Sequence, residues 1–290
     1  MLVNLHDSIS LSSKLTPKRI SNAWKIWRSY KRSQRTGNAG IAGLPIIMAI
    51  EPTTACNLRC PECPSGLRSF TRPTGKLDVG VFQKIIDEVK HHLIYLTFYF
   101  QGEPYLNPQF LDMVNVAFKK RIYTTTSTNA HFLNDQNARK TVESGLDRLI
   151  ISIDGASQET YESYRKEGDL TKVLEGTENI LKWRKKLKSR SPKVVWQFLV
   201  VKPNEREIPT IKKLAKEYGV DKVAFKTAQI YDYKDGNDLI PTIDRYSRYK
   251  ENTDGTFSIK NELENKCWKM WQSCVITWDG QVIPCCFDKD

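Results

Sequence analysis

Three cysteines stand four and three residues apart in "TTACNLRCPEC" (Thr53–Cys63): Cys56, Cys60 and Cys63. That spacing would set them on one face of a helix, where free cysteine is a common core residue. Two prolines oppose a helix. Pro61 falls between the second and third cysteine and Pro64 follows the third. A proline inside a helix costs roughly 3 kcal/mol, and each one pushes its predecessor, Cys60 or Cys63, out of the helical region. Asn57 and Gly66 add turn character. The thiols are therefore expected on an irregular loop, where an apolar stripe gains nothing and thiolates are free to face a metal. Structural zinc takes four tight ligands, usually from paired C-x2-C hooks; here the first hook is C-x3-C, with no histidine beside it. A cubane iron–sulfur cluster takes one thiolate per iron. Three thiolates leave one iron open to a chelating ligand.

The other four cysteines, Cys267, Cys274, Cys285 and Cys286, crowd the end of the chain in "CWKMWQSCVITWDGQVIPCCFDKD", around an expected hairpin turning at Asp279-Gly280. Cys285 and Cys286 are adjacent, and on an extended strand they would face opposite ways. Seven cysteines, an odd number clustered in two places, do not read as a disulfide framework. Metal binding in a reducing, cytoplasmic compartment fits better. His6, His91, His92 and His131 match no metal spacing.

These groups need elements to position them. Six β-like runs, Pro45–Glu51, Ile94–Phe100, Ile122–Thr128, Arg148–Asp154, Val194–Val200 and Lys222–Ala228, alternate with amphipathic helical stretches. Gly145 and Gly219 mark helix ends. Near-continuous apolar strands joined by helical crossovers imply a parallel sheet. The expected class is α/β, a partial (β/α)6 TIM-like barrel, with an open doubly wound sheet as the fallback. The distinctive polar groups all follow the carboxyl ends of strands: the cysteine loop after the first, "QGEP" after the second, "TNA" after the third, "DG" after the fourth. In a barrel those loops converge on one site.

The division expected is a basic extension at 1–40, the barrel at 41–228, a polar linker at 229–262 and a cysteine-rich extension at 263–290. The chain carries a net charge of +12; residues 1–40 hold eight Lys/Arg against Asp7, or +7, leaving +5 for the other 250 residues. That excludes a basic binding face spread over the main domain, and no specific nucleic-acid partner is expected. In "KRISNAWKIWRSYKR" Trp24, Trp27 and Tyr30 interleave with cations. Such a helix either lies on an acidic membrane surface or partner, or packs its aromatics on the barrel and leaves its charges in water. No apolar run reaches the ~18 residues of a membrane span.

"CNLRCPEC" resembles the C-x3-C-x2-C signature of the radical S-adenosylmethionine (radical SAM) superfamily. "QGEP" (Gln101–Pro104), "STNA" (Ser127–Ala130) and "ISIDG" (Ile151–Gly155) resemble its further motifs, in order along the chain. The resemblance implies a [4Fe-4S] cluster on Cys56, Cys60 and Cys63, with the amine and carboxylate of S-adenosylmethionine on the open iron. Reductive cleavage of the sulfonium would leave a 5′-deoxyadenosyl radical that abstracts hydrogen from substrate. It further implies Gly102 and Glu103 beside the methionine ammonium, Ser152 and Arg165 at the ribose and carboxylate, and Ser127 and Asn129 as further polar contacts. Gln197 is a weaker candidate near the adenine. Gln101 stands where the usual motif has glycine, so its side chain must turn away or join the site.

The last 24 residues resemble the start of a SPASM extension, which implies an auxiliary iron–sulfur cluster using Cys267 and Cys285, with Cys274 and Cys286 as weaker ligands. Members usually continue to further cysteines, so a C-terminally incomplete form is expected. The substrate expected from the resemblance is a peptide or protein side chain, with a small molecule such as a sugar or aminocyclitol as the alternative, and an electron donor such as flavodoxin or ferredoxin. A reading from another class is a non-enzymatic, zinc-stabilised binding module.

Overall fold

The computed structural model describes residues 5–261 and 264–289. Two helices come first, α1 (Leu5–Ser13) and α2 (Pro17–Thr36). Then follow β1 (Ile47–Ile50), the single turn α3 (Pro64–Leu67), α4 (Val79–Val89), β2 (Tyr95–Thr97), α5 (Phe110–Lys119), β3 (Tyr123–Thr128), α6 (Asp135–Glu143) and β4 (Arg148–Ser152). Beyond them lie α7 (Gln158–Tyr164), α8 (Leu170–Lys186), β5 (Lys193–Val200), α9 (Ile208–Tyr218) and β6 (Lys222–Thr227). Two short strands, β7 (Tyr249–Glu251) and β8 (Phe257–Ile259), precede α10 (Trp268–Gln272), β9 (Ser273–Ile276) and β10 (Val282–Ile283).

The six expected strands are β1 to β6. They pair in parallel in sequential order. A doubly wound sheet would reverse its strand order part-way; this one does not. Sequential right-handed crossovers curve the sheet and leave its helices on one side, as in a barrel. The helices begin where the sequence supplies caps: Asp78, Asn134, Ser157 and Asp169 each accept backbone N–H bonds at the start of α4, α6, α7 and α8. Their apolar faces meet the sheet in one core that includes Phe82, Met113, Leu149, Trp196 and Phe198.

β6 does not return to β1. The free edge of β1 instead takes β9 in parallel, and β10 pairs antiparallel beyond it, with Gly280 in the turn at φ +87°. The expected hairpin thus extends the barrel sheet. The segment read as a linker carries its own hairpin, β7 with β8, and packs Ile230, Ile240 and Tyr249 against Leu58 and Cys60 of the cysteine loop. The boundary expected between 262 and 263 falls outside the described residues.

The basic extension folds back under the sheet. Arg19, 2% exposed, donates to the carbonyls of Lys14, Lys90, Lys120 and Arg121. Asp7 meets Tyr123, Arg148 and Lys193, and Ser10 and Lys14 meet Asp147. All but Arg19's first partner precede or begin strands β2 to β5, so the arm lies at the amino-terminal end of the barrel. Of the three aromatics that could have packed inward, only Tyr30 does so, against Trp268 and Trp271 at centroid distances of 4.8 and 5.6 Å. Trp24 and Trp27 remain about half exposed.

Candidate active site

The cysteine segment is the irregular loop that its prolines dictate. Pro64 opens α3 at its first turn, and Cys63 caps it in extended backbone (φ −123°, ψ 121°). Gly66 sits so close to Cys60 that a Cβ there would lie 2.6 Å from its backbone N and O. Leu58 is buried under the loop and its N–H points at Cys56 Sγ, 3.5 Å away. The result sets Cys56, Cys60 and Cys63 on the rim of one pocket.

The loop after β2 closes the next side. Gly102 adopts φ +74°, and an added Cβ would lie 2.2 Å from the Thr53 carbonyl oxygen and 2.8 Å from that of Ala55. Only glycine fits there. The one left-handed position falls on Gly102, not Gln101, which explains why a side chain is tolerated at 101. Gln101 joins the site: its Oε1 accepts from Ser65 Oγ at 3.2 Å, and Ser65 Oγ accepts from Gly102 N at 2.9 Å.

Glu103 is 2% exposed. Its carboxylate accepts from Thr128 Oγ1 at 2.7 Å, from Asn129 N at 2.8 Å and from Tyr105 N at 3.3 Å. Burial pushes this carboxyl up to about 7, against the pull of those donors. Asn129 Nδ2 donates to Asn57 Oδ1 at 2.7 Å, joining the end of β3 to the cysteine loop. His131 has a structural place here: its Nδ1 faces Asn129 O at 3.0 Å, while Nε2 accepts from Asp169 N at 2.8 Å.

Ser152 ends β4, and Arg165 follows α7; both line the same pocket, as do Ser127, Asn129, Gly102 and Glu103. Six of the seven residues expected at the S-adenosylmethionine site, all but the weaker candidate Gln197, thus line one pocket with the three thiols. Gln197 is not among the lining residues. Asp154, in the "DG" after β4, is a partner the sequence did not assign. Fully buried, it accepts from Arg165 Nε at 2.5 Å and from Leu199 N at 2.6 Å. The signal was an acid in a strand-end motif, but its partner lies eleven residues on. Arg165 Nη1 reaches to 3.8 Å from Cys60 Sγ. Burial alone would lower this guanidinium's pKa, yet Asp154 and Cys60 hold it well above its ordinary value. Burial raises the thiol of Cys56 to about 12 and also raises that of Cys60, the latter opposed by Arg165.

The carboxy-terminal cysteines do not line this pocket. Cys267 caps α10, Cys274 lies on β9, and all seven cysteines are free thiols. Cys285 and Cys286 lie beyond β10 at the start of a turn, where Asp288 N donates to Cys285 O and Phe287 N to Cys285 Sγ. The pair thus lies at a turn, not on the extended strand that would face the two thiols opposite ways. Among the described residues no three His, Cys, Asp or Glu side chains converge on a single-ion site.

The radical SAM superfamily profile matches residues 50–215, more than half of the chain. The chain belongs to the radical SAM superfamily. The SPASM profile, an iron–sulfur cluster-binding domain, matches residues 267–290. The superfamily's cofactors are therefore a [4Fe-4S] cluster and S-adenosylmethionine, and the zinc-module reading is set aside. Among curated relatives, a tungsten-containing aldehyde ferredoxin oxidoreductase cofactor-modifying protein of Pyrococcus furiosus is 27% identical over 81% of this chain and 69% of its own length. The mycofactocin maturase MftC of Mycobacterium ulcerans is 32% identical over 47% of this chain and 36% of its own. Streptococcus suis SuiB, solved with its precursor peptide SuiA, superposes at a TM-score of 0.65 with 13% identity, over 93% of this chain and 64% of SuiB. That likeness carries the fold: the partial barrel.

Proposed function

We propose that Cys56, Cys60 and Cys63 hold a [4Fe-4S] cluster with one iron left for S-adenosylmethionine, and that the chain abstracts hydrogen from a peptide or protein side chain. The observation that carries this reading is the convergence, at the carboxyl ends of four adjacent strands, of three thiols with a buried carboxylate and a partly buried guanidinium. The donor set fits the group: three sulfurs from one short loop, with oxygen- and nitrogen-bearing side chains lining the same pocket. When bound, the cluster and cofactor supply one-electron cleavage to the 5′-deoxyadenosyl radical.

The residues supply binding and orientation. Glu103 would accept from the cofactor's ammonium, a charge-assisted bond. Its carboxylate is clamped by Thr128 and by Asn129 N, so it has no freedom to lose on binding. Arg165 would meet the cofactor's carboxylate with the part of its fork that Asp154 leaves open. Gly102 holds its loop against the cysteine segment, while Ser127, Asn129 and Ser152 would offer polar contacts to the ribose. The carboxy-terminal segment, with Cys267, Cys274, Cys285 and Cys286, would serve an auxiliary cluster. A flavodoxin or ferredoxin would donate the electron.

SuiB, a SPASM-type relative in fold, binds a precursor peptide, which supports the peptide class over sugars and aminocyclitols. The test is anaerobic turnover with excess reductant, reading 5′-deoxyadenosine. The wild-type chain should form it, and Cys60→Ser should abolish formation with the fold retained by circular dichroism. Deuterium from a labelled peptide fraction should appear in the product. Undiminished turnover by Cys60→Ser refutes the ligand assignment, and deuterium arriving only from small metabolites refutes the peptide class.

A further inference from the structure

The barrel uses only one face of α2. On its inward side, against α10 and the segment leading into β1, the helix buries Arg19, Asn22, Ile26 and Ser29, a spacing of three, four and three that defines one side of a 3.6-residue helix. The opposite side carries Ile20, Trp24, Trp27 and Lys31, with Arg28 and Arg35 beside them. Ile20 and Trp24 are each 55% exposed and Trp27 is 49% exposed. Ile41, from the segment returning to β1, is exposed and lines the same shallow surface as the two tryptophans. Arg28 lies over the Trp24 ring, 4.5 Å from its centroid. Among its residues α2 has the bases Lys18, Arg19, Lys25, Arg28, Lys31, Arg32 and Arg35 and no acid.

We propose that this outward face of α2, together with Ile41, docks on the surface of an anionic phospholipid bilayer. Tryptophan prefers the headgroup level of a bilayer, where its ring is buried and its N–H stays wet. Aliphatic side chains add buried area, and flanking lysines and arginines meet lipid phosphates. A single-stranded nucleic acid would also draw on cations and aromatic rings. Ile20, on the same side of α2, and Ile41, beside the two tryptophans, however, have no flat face on which a base could stack. Lipid uses all of these residues; nucleic acid uses only some.

The anchoring of the helix matters as much as its exposed face. Arg19 and Asn22 tie α2 to the barrel through buried polar bonds, so the outward face is presented on a fixed platform. No helix among the described residues is long and apolar enough to cross a membrane, so the contact is peripheral. The arm lies at the amino-terminal ends of the strands and the thiol pocket at their carboxyl ends. A docked molecule would therefore keep the pocket turned toward water and open to substrate.

The test is sedimentation of the full chain with phosphatidylcholine vesicles, with and without phosphatidylglycerol, at low and high salt. The double variant Trp24→Ser/Trp27→Ser preserves every charge, and its side chains face away from the barrel, so thermal unfolding should match the wild type. The expected result is binding to the anionic vesicles only, weakened by salt, and reduced roughly tenfold or more in the tryptophan variant. Failure to bind anionic vesicles overturns the proposal. So does binding that the tryptophan variant leaves intact, or retention of a single-stranded RNA oligonucleotide through these tryptophans while vesicles are ignored.

Discussion

At the scale of single residues, the site depends on groups whose surroundings admit few substitutes. Gly102 shows this most sharply, since it combines a left-handed backbone with two carbonyl oxygens where a side chain would begin. Gly102→Ala should cost about 1–2 kcal/mol for the backbone alone, with a further loss from displacing the loop after β1. Urea unfolding should show that loss, and a Gly102→Ala chain as stable as wild type would contradict the packing described. The sequence made Gly102 legible as part of a motif, but not the reason for it, because Thr53 and Ala55 are some fifty residues away. Arg165 was likewise legible. Its restraint by Asp154 was not, because the pairing appears only when the loop after β4 and the end of α7 are folded together.

At the scale of elements, β1 to β6 could be read to within three residues because their runs are rich in β-branched and aromatic residues, several of them almost continuously apolar. The short helix α7 was missed. Its seven residues, "QETYESY", bury only Tyr161 and Tyr164, too little for a helical period to show. The seat of the basic arm was also hidden, since Asp7, Ser10 and Arg19 bind backbone and side chains that lie more than seventy residues away. That seat has a pH signature. Burial would raise the Asp7 carboxyl, but the Tyr123 hydroxyl and the Arg148 and Lys193 cations outweigh it and leave it below its ordinary value. A carboxyl depressed in the folded state stabilises above its unfolded pKa of about 3.9, and that stabilisation is lost as pH falls through the lower folded value. Hydrogen exchange in α1 should therefore accelerate with acidification over that range. Asp7→Asn should show fast exchange already at neutral pH. Exchange in α1 unchanged by Asp7→Asn would refute the arrangement.

At the scale of the whole molecule, the carboxy-terminal hairpin and the cysteine loop are bound to each other through β1. Fully buried Glu51, just past β1, accepts from Arg72 Nη1 and Nη2, each at 2.6 Å, and from Trp278 N at 3.3 Å. Trp278 Nε1 in turn donates to Pro73 O at 3.1 Å. One buried carboxylate thus joins the segment after the first three cysteines to the hairpin that precedes Cys285. The same sheet carries the basic arm at the amino-terminal end of its strands and the thiol pocket at their carboxyl ends. The claim on which the functional reading rests is that the pocket leaves one iron of its cluster for the cofactor. Electron–nuclear double resonance of the reduced, reconstituted chain with S-adenosylmethionine labelled at its amine nitrogen tests it most directly. A hyperfine coupling from that nitrogen is predicted for the wild type; a reduced cubane without any such coupling would contradict the account.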